Sequence, residues 1–222
     1  MTALTPSEAA YLLGSTHISK TDLGNDETKA TQVEFSVGAV GWTKFCVAVA
    51  FAGLAQEGSV DLKYVEEKKT KFFTSRHVVA TQTGETSFPA RSLEFELYRS
   101  IGGKHSNGNG SASVERVVEQ WFGKDVSKPY EVLMAVPSSR LVELGLLDEN
   151  KAPNDRGKIA SSLLGKPKTV KVPNHELIAA KVGEMQEAAH GWQDFKKAHS
   201  EVSAKIFEDI SLAIKVRTRK AS

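Results

Sequence analysis

The stretch VGAVGWTKFCVAVAFAGLA, from Val37 to Ala55, constrains this chain more than any other. It carries one charge, Lys44, so as a helix it has no polar side to turn towards water and the rest of the chain must surround it. A membrane span is the competing outcome, but Lys44 and three glycines interrupt the run, which barely reaches the roughly 20 residues a bilayer core requires. A buried core helix is the expectation. Gly58, in LAQEGSVDL, marks its end, because glycine takes the left-handed conformation beyond a helix without the cost of a Cβ.

The flanking segments supply what such a helix needs around it. Thr5-Pro6-Ser7-Glu8 reads as a helix start, with a capping hydroxyl, proline at the first helical position and a glutamate three residues past the cap. With no positively charged lead, MTALTPSEAAYLLG reads as that helix rather than as a secretion signal. Ser19 to Gln32 is polar and aperiodic, so a surface loop is expected. SVDLKYVEE and KKTKFFTSRHVVATQTG are β-prone runs that predict a hairpin, with its turn near Glu66 to Lys69, where four consecutive charges resist burial. A helix is expected from Pro89 through ARSLEFELYRSI, stopped by Gly102-Gly103, then a Gly-, Ser- and Asn-rich loop. SVERVVEQWFG predicts a short helix with Val114, Val117, Val118, Trp121 and Phe122 on one side, and another helix starts near Tyr130.

LVELGLLD, Leu141 to Asp148, repeats the pattern of LAQEGSVD, Leu54 to Asp61. Each is a helix ended by glycine and expected to pass at once into a strand, and Tyr11 and Tyr98 precede their glycines by the same interval. The order of helix, helix, strand and wing is that of a winged-helix unit, here present in two copies if the repeat is a duplication. Further on, SSLLGKPKTVKVP offers a short strand and Asn174 a cap. The apolar series Ile178, Val182, Met185, Ala189, Trp192, Phe195, Val202, Ile206, Ile210 and Ala213 predicts one or two amphipathic helices that Gly183 or Gly191 could break. Docking of this stripe on the body competes with self-association. The expected fold is mainly α with small β-hairpins (α+β), divided as a first winged unit over 1–88, a second over 89–172 and a long C-terminal helix with a basic tail over 173–222.

No chemistry-bearing motif is found. The chain has no GxxxxGK[ST], no GxGxxG after a strand, no GxSxG and no HExxH, so no enzyme activity, metal or cofactor is expected. Cys46 is the lone cysteine and lies in the apolar helix, where burial leaves a thiol inert; it also suits a reducing, cytoplasmic compartment. The acid pairs Glu66-Glu67, Asp148-Glu149 and Glu208-Asp209 are read as solvated charges, and the three tryptophans as core. A net charge of +2 is too small for a global field, so an anionic partner must be met by a local cluster. Two clusters qualify. Lys68, Lys69, Lys71 and Arg76 surround Phe72 and Phe73, and Lys215, Arg217, Arg219 and Lys220 form the tail.

Taken in order, LTPSEAAYLLG, the apolar helix ending in LAQEGSVDL, a hairpin, RVVEQWFG, SSRLVELGLLDE and SLLGKPKTVKVPNHELIAAKV resemble the Golgi phosphoprotein (vesicle-coat adaptor) family from about Leu4 to Val182. The resemblance implies a largely helical fold with a prominent hairpin. From that family's eukaryotic members it also implies peripheral membrane attachment through phosphatidylinositol 4-phosphate and retention of glycosyltransferases. The family's ligand arginines fall on Val47, counting back from Gly58, and on Glu131 and Met134, counting back from Gly145, so that headgroup site is not implied here.

The expectation is therefore a non-enzymatic adaptor, cytoplasmic or peripherally attached, that meets an anionic lipid headgroup or membrane surface and a protein partner. A winged-helix DNA-binding regulator is one alternative, but GWTKFCVAVAF and EVLMAVPSSRL offer only Lys44 and Arg140 for reading bases, so nucleic acid is disfavoured. The other is a structural or assembly protein that self-associates through its C-terminal helix.

Overall fold

The computed structural model describes residues 3–13, 29–30, 34–37, 39–70, 73–103, 110–121, 129–147, 168–171 and 180–220. In chain order these form α1 (Pro6–Leu13), β1 (Lys29–Ala30), β2 (Glu34–Val37), α2 (Ala39–Glu57), β3 (Val60–Thr70), β4 (Phe73–Gln82), α3 (Leu93–Ile101) and β5 (Ser111–Ser113). α4 (Val114–Trp121), α5 (Pro129–Glu143), β6 (Lys168–Lys171), α6 (Val182–Ala198) and α7 (Ser200–Lys220) follow. The fold is mainly helical with small antiparallel sheets, of the α+β class. Two sheets have three strands each, ordered β1-β2-β6 and β3-β4-β5.

α2 is the axis of the molecule. Every residue from Phe45 to Leu54 is buried, and α1, α3, α5, α6, α7 and β3 all pack against it. The apolar run thus behaves as a core helix, and among the described residues no helix is long and apolar enough to cross a membrane. Around α2, Tyr11 tilts over Trp42 with ring centroids 4.3 Å apart, and Trp192 meets Phe45 edge-on at 6.1 Å. The stripe of the C-terminal third is buried within its own chain: Trp192, Ile206, Ile210 and Ala213 are almost wholly inaccessible. Such burial is worth about 1.5–3 kcal/mol for each large side chain.

Helix ends follow the local signals where those exist. Glu8 accepts the Thr5 N–H at 3.0 Å while Thr5 Oγ1 accepts the Glu8 N–H at 3.4 Å, a reciprocal capping box. Gly58 and Gly145 have φ of 82° and 72° and close the same motif. In the first, Gly58 N–H donates to Ala55 O and Ser59 N–H to Leu54 O; in the second, Gly145 N–H donates to Val142 O and Leu146 N–H to Leu141 O. Both are Schellman caps, so the sequence repeat is also a repeat of backbone geometry up to Leu146. The two copies then part: Val60 enters a strand two residues after Gly58, whereas Leu146 and Leu147 are in no strand and the residues after them lie outside the described ones. The two tyrosines differ: Tyr11 is core, whereas Tyr98 is half-buried and donates its hydroxyl to Gly84 O.

Several boundaries differ from expectation. α3 starts at Leu93, not after Pro89, because Ser92 Oγ caps Phe95 N–H and Arg91 occupies a positive φ of 70° just before it. Two residues of the expected Ser19–Gln32 loop, Lys29 and Ala30, pair with β2. The Asn174 cap and Ile178 lie outside the described residues; among those described the C-terminal helix runs from Val182, and the break comes at His199 (φ −135°, ψ 55°) rather than at Gly183 or Gly191. Both glycines are accommodated inside α6, with Gly191 O accepting a bond from Gln56 Nε2. β6 forms as expected, antiparallel to β2.

Gly58→Ala and Gly145→Ala should each lose about 1 kcal/mol in denaturant unfolding, since open space surrounds both and only the left-handed backbone is penalised. Gly53→Ala should also destabilise, although alanine is the better helix former, because its Cβ would lie 2.8 Å from Pro6 Cγ.

Candidate functional site: a basic hairpin arm and its root

β3 and β4 pair residue for residue from Val60↔Gln82 to Lys68↔Thr74, after which a register shift pairs Thr70 with Phe73. Lys69 is the extra residue of a bulge, and the chain reverses between Thr70 and Phe73. The turn is therefore not at Glu66 to Lys69. Those four charges run in strand because the distal hairpin is an arm with no buried face to exclude them: Glu66, Glu67, Lys68, Thr74 and Arg76 are all exposed. Burial is confined to the root, where Val60, Leu62, Val78 and Ala80 enter the core. β5 extends the sheet only opposite Val79, Ala80 and Thr81.

Charges along the arm are partly cross-paired. Glu66 and Arg76 are direct cross-strand partners with Arg76 Nε 2.8 Å from Glu66 Oε1, and the Tyr64 hydroxyl donates to the same oxygen at 3.1 Å. Lys63 pairs with Asp61 at 2.7 Å. His77 Nε2 stands 4.0 Å from Glu67 Oε1. Of the sequence-assigned residues, Lys68 is exposed on β3, Lys69 takes the bulge position and Phe73 opens β4. Lys71 and Phe72 lie outside the described residues. The second basic group, Lys215, Arg217, Arg219 and Lys220, is carried in the last turns of α7, not in a separate tail. The arm's root bonds to α7 at Asp209, more than one turn before Lys215.

The root holds a group that sequence reasoning dismissed. Asp209, read as half of a solvated acid pair, is completely buried. Its Oδ2 accepts the Val78 N–H at 2.8 Å, on the edge of β4 just past the end of β5, and Lys205 Nζ lies 3.2 Å from Oδ1. Burial pushes the Asp209 carboxyl above its ordinary range despite the Val78 N–H and Lys205, and Glu115 is raised by burial and by the Asp209 charge. Lys205 is raised as well: burial opposes its charge, but Glu208 at 2.8 Å and Asp209 outweigh it. The signal was present in the sequence. Asp209 falls three residues after Ile206 and beside Ile210, within the apolar stripe.

The expectations for Cys46 and the three tryptophans hold, while Phe122, Asp148 and Glu149 lie outside the described residues. Cys46 is inaccessible and its thiol is pushed up by burial, while Trp42 and Trp192 are core and Trp121 packs half-buried against it. Of the three positions onto which the sequence resemblance would put arginines, Val47 and Met134 are buried and the Glu131 side chain lies outside what the structure describes. Among the described residues no cluster of His, Cys, Asp and Glu could hold a metal ion. Comparison of the chain with protein families, with curated proteins and with solved structures found no match.

Asp209→Ala leaves the Val78 N–H without its acceptor and Lys205 with Glu208 alone. It should cost about 3 kcal/mol in chemical denaturation, and hydrogen exchange at Val78 should speed up by more than at Leu133 on the far side of the core.

Proposed function

We propose that this chain is a non-enzymatic adaptor that meets an anionic membrane surface with the tip of the β3–β4 arm and uses another face for a protein partner. The observation that carries the reading is the arm itself, two strands whose distal halves are exposed and whose tip sequence, KKTKFF, gathers three lysines and two phenylalanines. A cation close to an anionic leaflet is worth about 1 kcal/mol, so three lysines together supply attachment that salt screens over a Debye length of roughly 10 Å. Aromatic side chains at the same tip suit shallow insertion at the headgroup level.

Two observations weigh against the alternatives. α2 would have to be the recognition helix of a first winged unit, yet it is buried from Phe45 to Leu54 and has no face for a DNA groove. The apolar stripe of α6 and α7 is occupied by its own chain, which leaves no helical seam there for self-association. The paired Schellman helix ends are in keeping with two related units of winged-helix or Golgi phosphoprotein-like type. Attachment is read as a surface-charge effect rather than a headgroup pocket, in keeping with buried Val47 and Met134.

Flotation with phosphatidylcholine vesicles, with and without phosphatidylserine, tests the reading. The wild-type chain should float only with the anionic vesicles, and the bound fraction should fall with salt. Replacing Lys68, Lys69 and Lys71 with glutamate should abolish flotation. Arg76→Glu alone should weaken it less, because Arg76 is already paired to Glu66. Flotation that ignores the triple replacement, or a wild-type chain that stays at the bottom with both vesicles, refutes it.

A further inference from the structure

A buried carboxylate on α3 and an ion pair between α1 and α5 both hold the first turn of α1. Glu8 on α1 and Glu94 on α3 are both completely buried, and the Arg140 side chain on α5 is 12% exposed. Arg140 Nε donates to Glu8 Oε1, so the cation is committed to Glu8. Glu94 receives only neutral donors: the Ser7 N–H at 2.7 Å on Oε1, and the Ser7 hydroxyl 3.0 Å from Oε2. Cys46 on α2 is the titratable neighbour that feels the Glu94 charge, while Glu8, next to Ser7 on α1, is paired with Arg140 on α5. α4 and β4 also pack on α3, and neither gives Glu94 a hydrogen bond or ion pair.

The charge count decides the chemistry. Ionised, Glu94 is a negative charge out of reach of water whose bonds come only from neutral donors, a costly state. With Glu94 neutral every oxygen is satisfied. Ser7 N–H donates to Oε1, the carboxyl proton on Oε2 goes to Ser7 Oγ, and the Ser7 hydroxyl turns to Thr5 Oγ1, 3.3 Å away. We propose that Glu94 is a proton-binding site that fastens α1 to the body: the neutral carboxyl keeps α1 docked, and loss of the proton loosens it from α3 and from α2, α5 and α6, on which it packs. Burial pushes the Glu94 carboxyl up to about 7, against the pull of Ser7 and Thr5. Because the folded chain then holds the proton more tightly than the unfolded one, this stabilisation is full below the ordinary glutamate range, lost as pH rises towards 7, and absent above.

The single cysteine makes the chain its own reporter, since Cys46 is inaccessible and lies near both Tyr11 and Glu94. Alkylation of Cys46 in the full chain, normalised to the denatured chain to remove thiol ionisation, should accelerate on the order of a hundredfold between about pH 5 and about pH 8. Hydrogen exchange of the α1 amides should accelerate in parallel. Glu94→Gln keeps a neutral donor and acceptor, and should hold Cys46 protected across that range. Asp209 and Glu115 are also raised and contribute the same sign, so the difference between wild type and Glu94→Gln is the quantity that counts. Protection of wild-type Cys46 that does not change with pH overturns the proposal without any variant. So does a Glu94→Gln chain that keeps the wild-type pH dependence.

Discussion

The whole structure depends on α2 having no side that can face water. A helix apolar all round cannot lie on a surface; it can only be enclosed, and here five helices and a strand enclose it. Two consequences follow from that enclosure. The close approach of α1 leaves room only for a hydrogen at Gly53, and it brings the polar first turn of α1 into the interior. The elements that cover α2 spend their apolar faces on it, so whatever the protein recognises must be met by parts that project beyond the enclosure.

What was legible in the sequence was what short-range chemistry dictates. The capping box of α1, the glycine ends of α2 and α5, the valine face of α4 and the short β6 strand each rest on residues within a few positions of one another. What was not legible depends on partners far along the chain. Glu94 bonds to Ser7, Arg140 to Glu8 and Asp209 to Val78, and no local pattern announces such pairs. The hairpin turn was misplaced for a related reason. Charges argue against a strand only if one of its faces is to be buried, and the exposure of the arm is a property of the finished fold. The break at His199 carries no glycine or proline to advertise it.

Of the candidate site, sequence placed Lys68 and Arg76 correctly on an exposed hairpin but treated their charges as equivalent. Structure separates them: one stands in solvent, the other is held in a cross-strand pair whose net charge is nil. The field at the tip is therefore weaker and more localised than a count of cations suggests.

Asp209 fills a place that in most sheets belongs to another strand. β5 stops after three residues, and the next inward-lying donor of β4 is taken by a carboxylate reaching across from α7. An open strand edge is an invitation to any extended peptide, including a second copy of the same sequence. A buried acid on a rigid helix withdraws that invitation at the point where the sheet is nearest the core, and it does so without length or sequence that could itself be copied into a growing fibril. A long arm can thus stay solvent-facing while its inner end is sealed against misassembly.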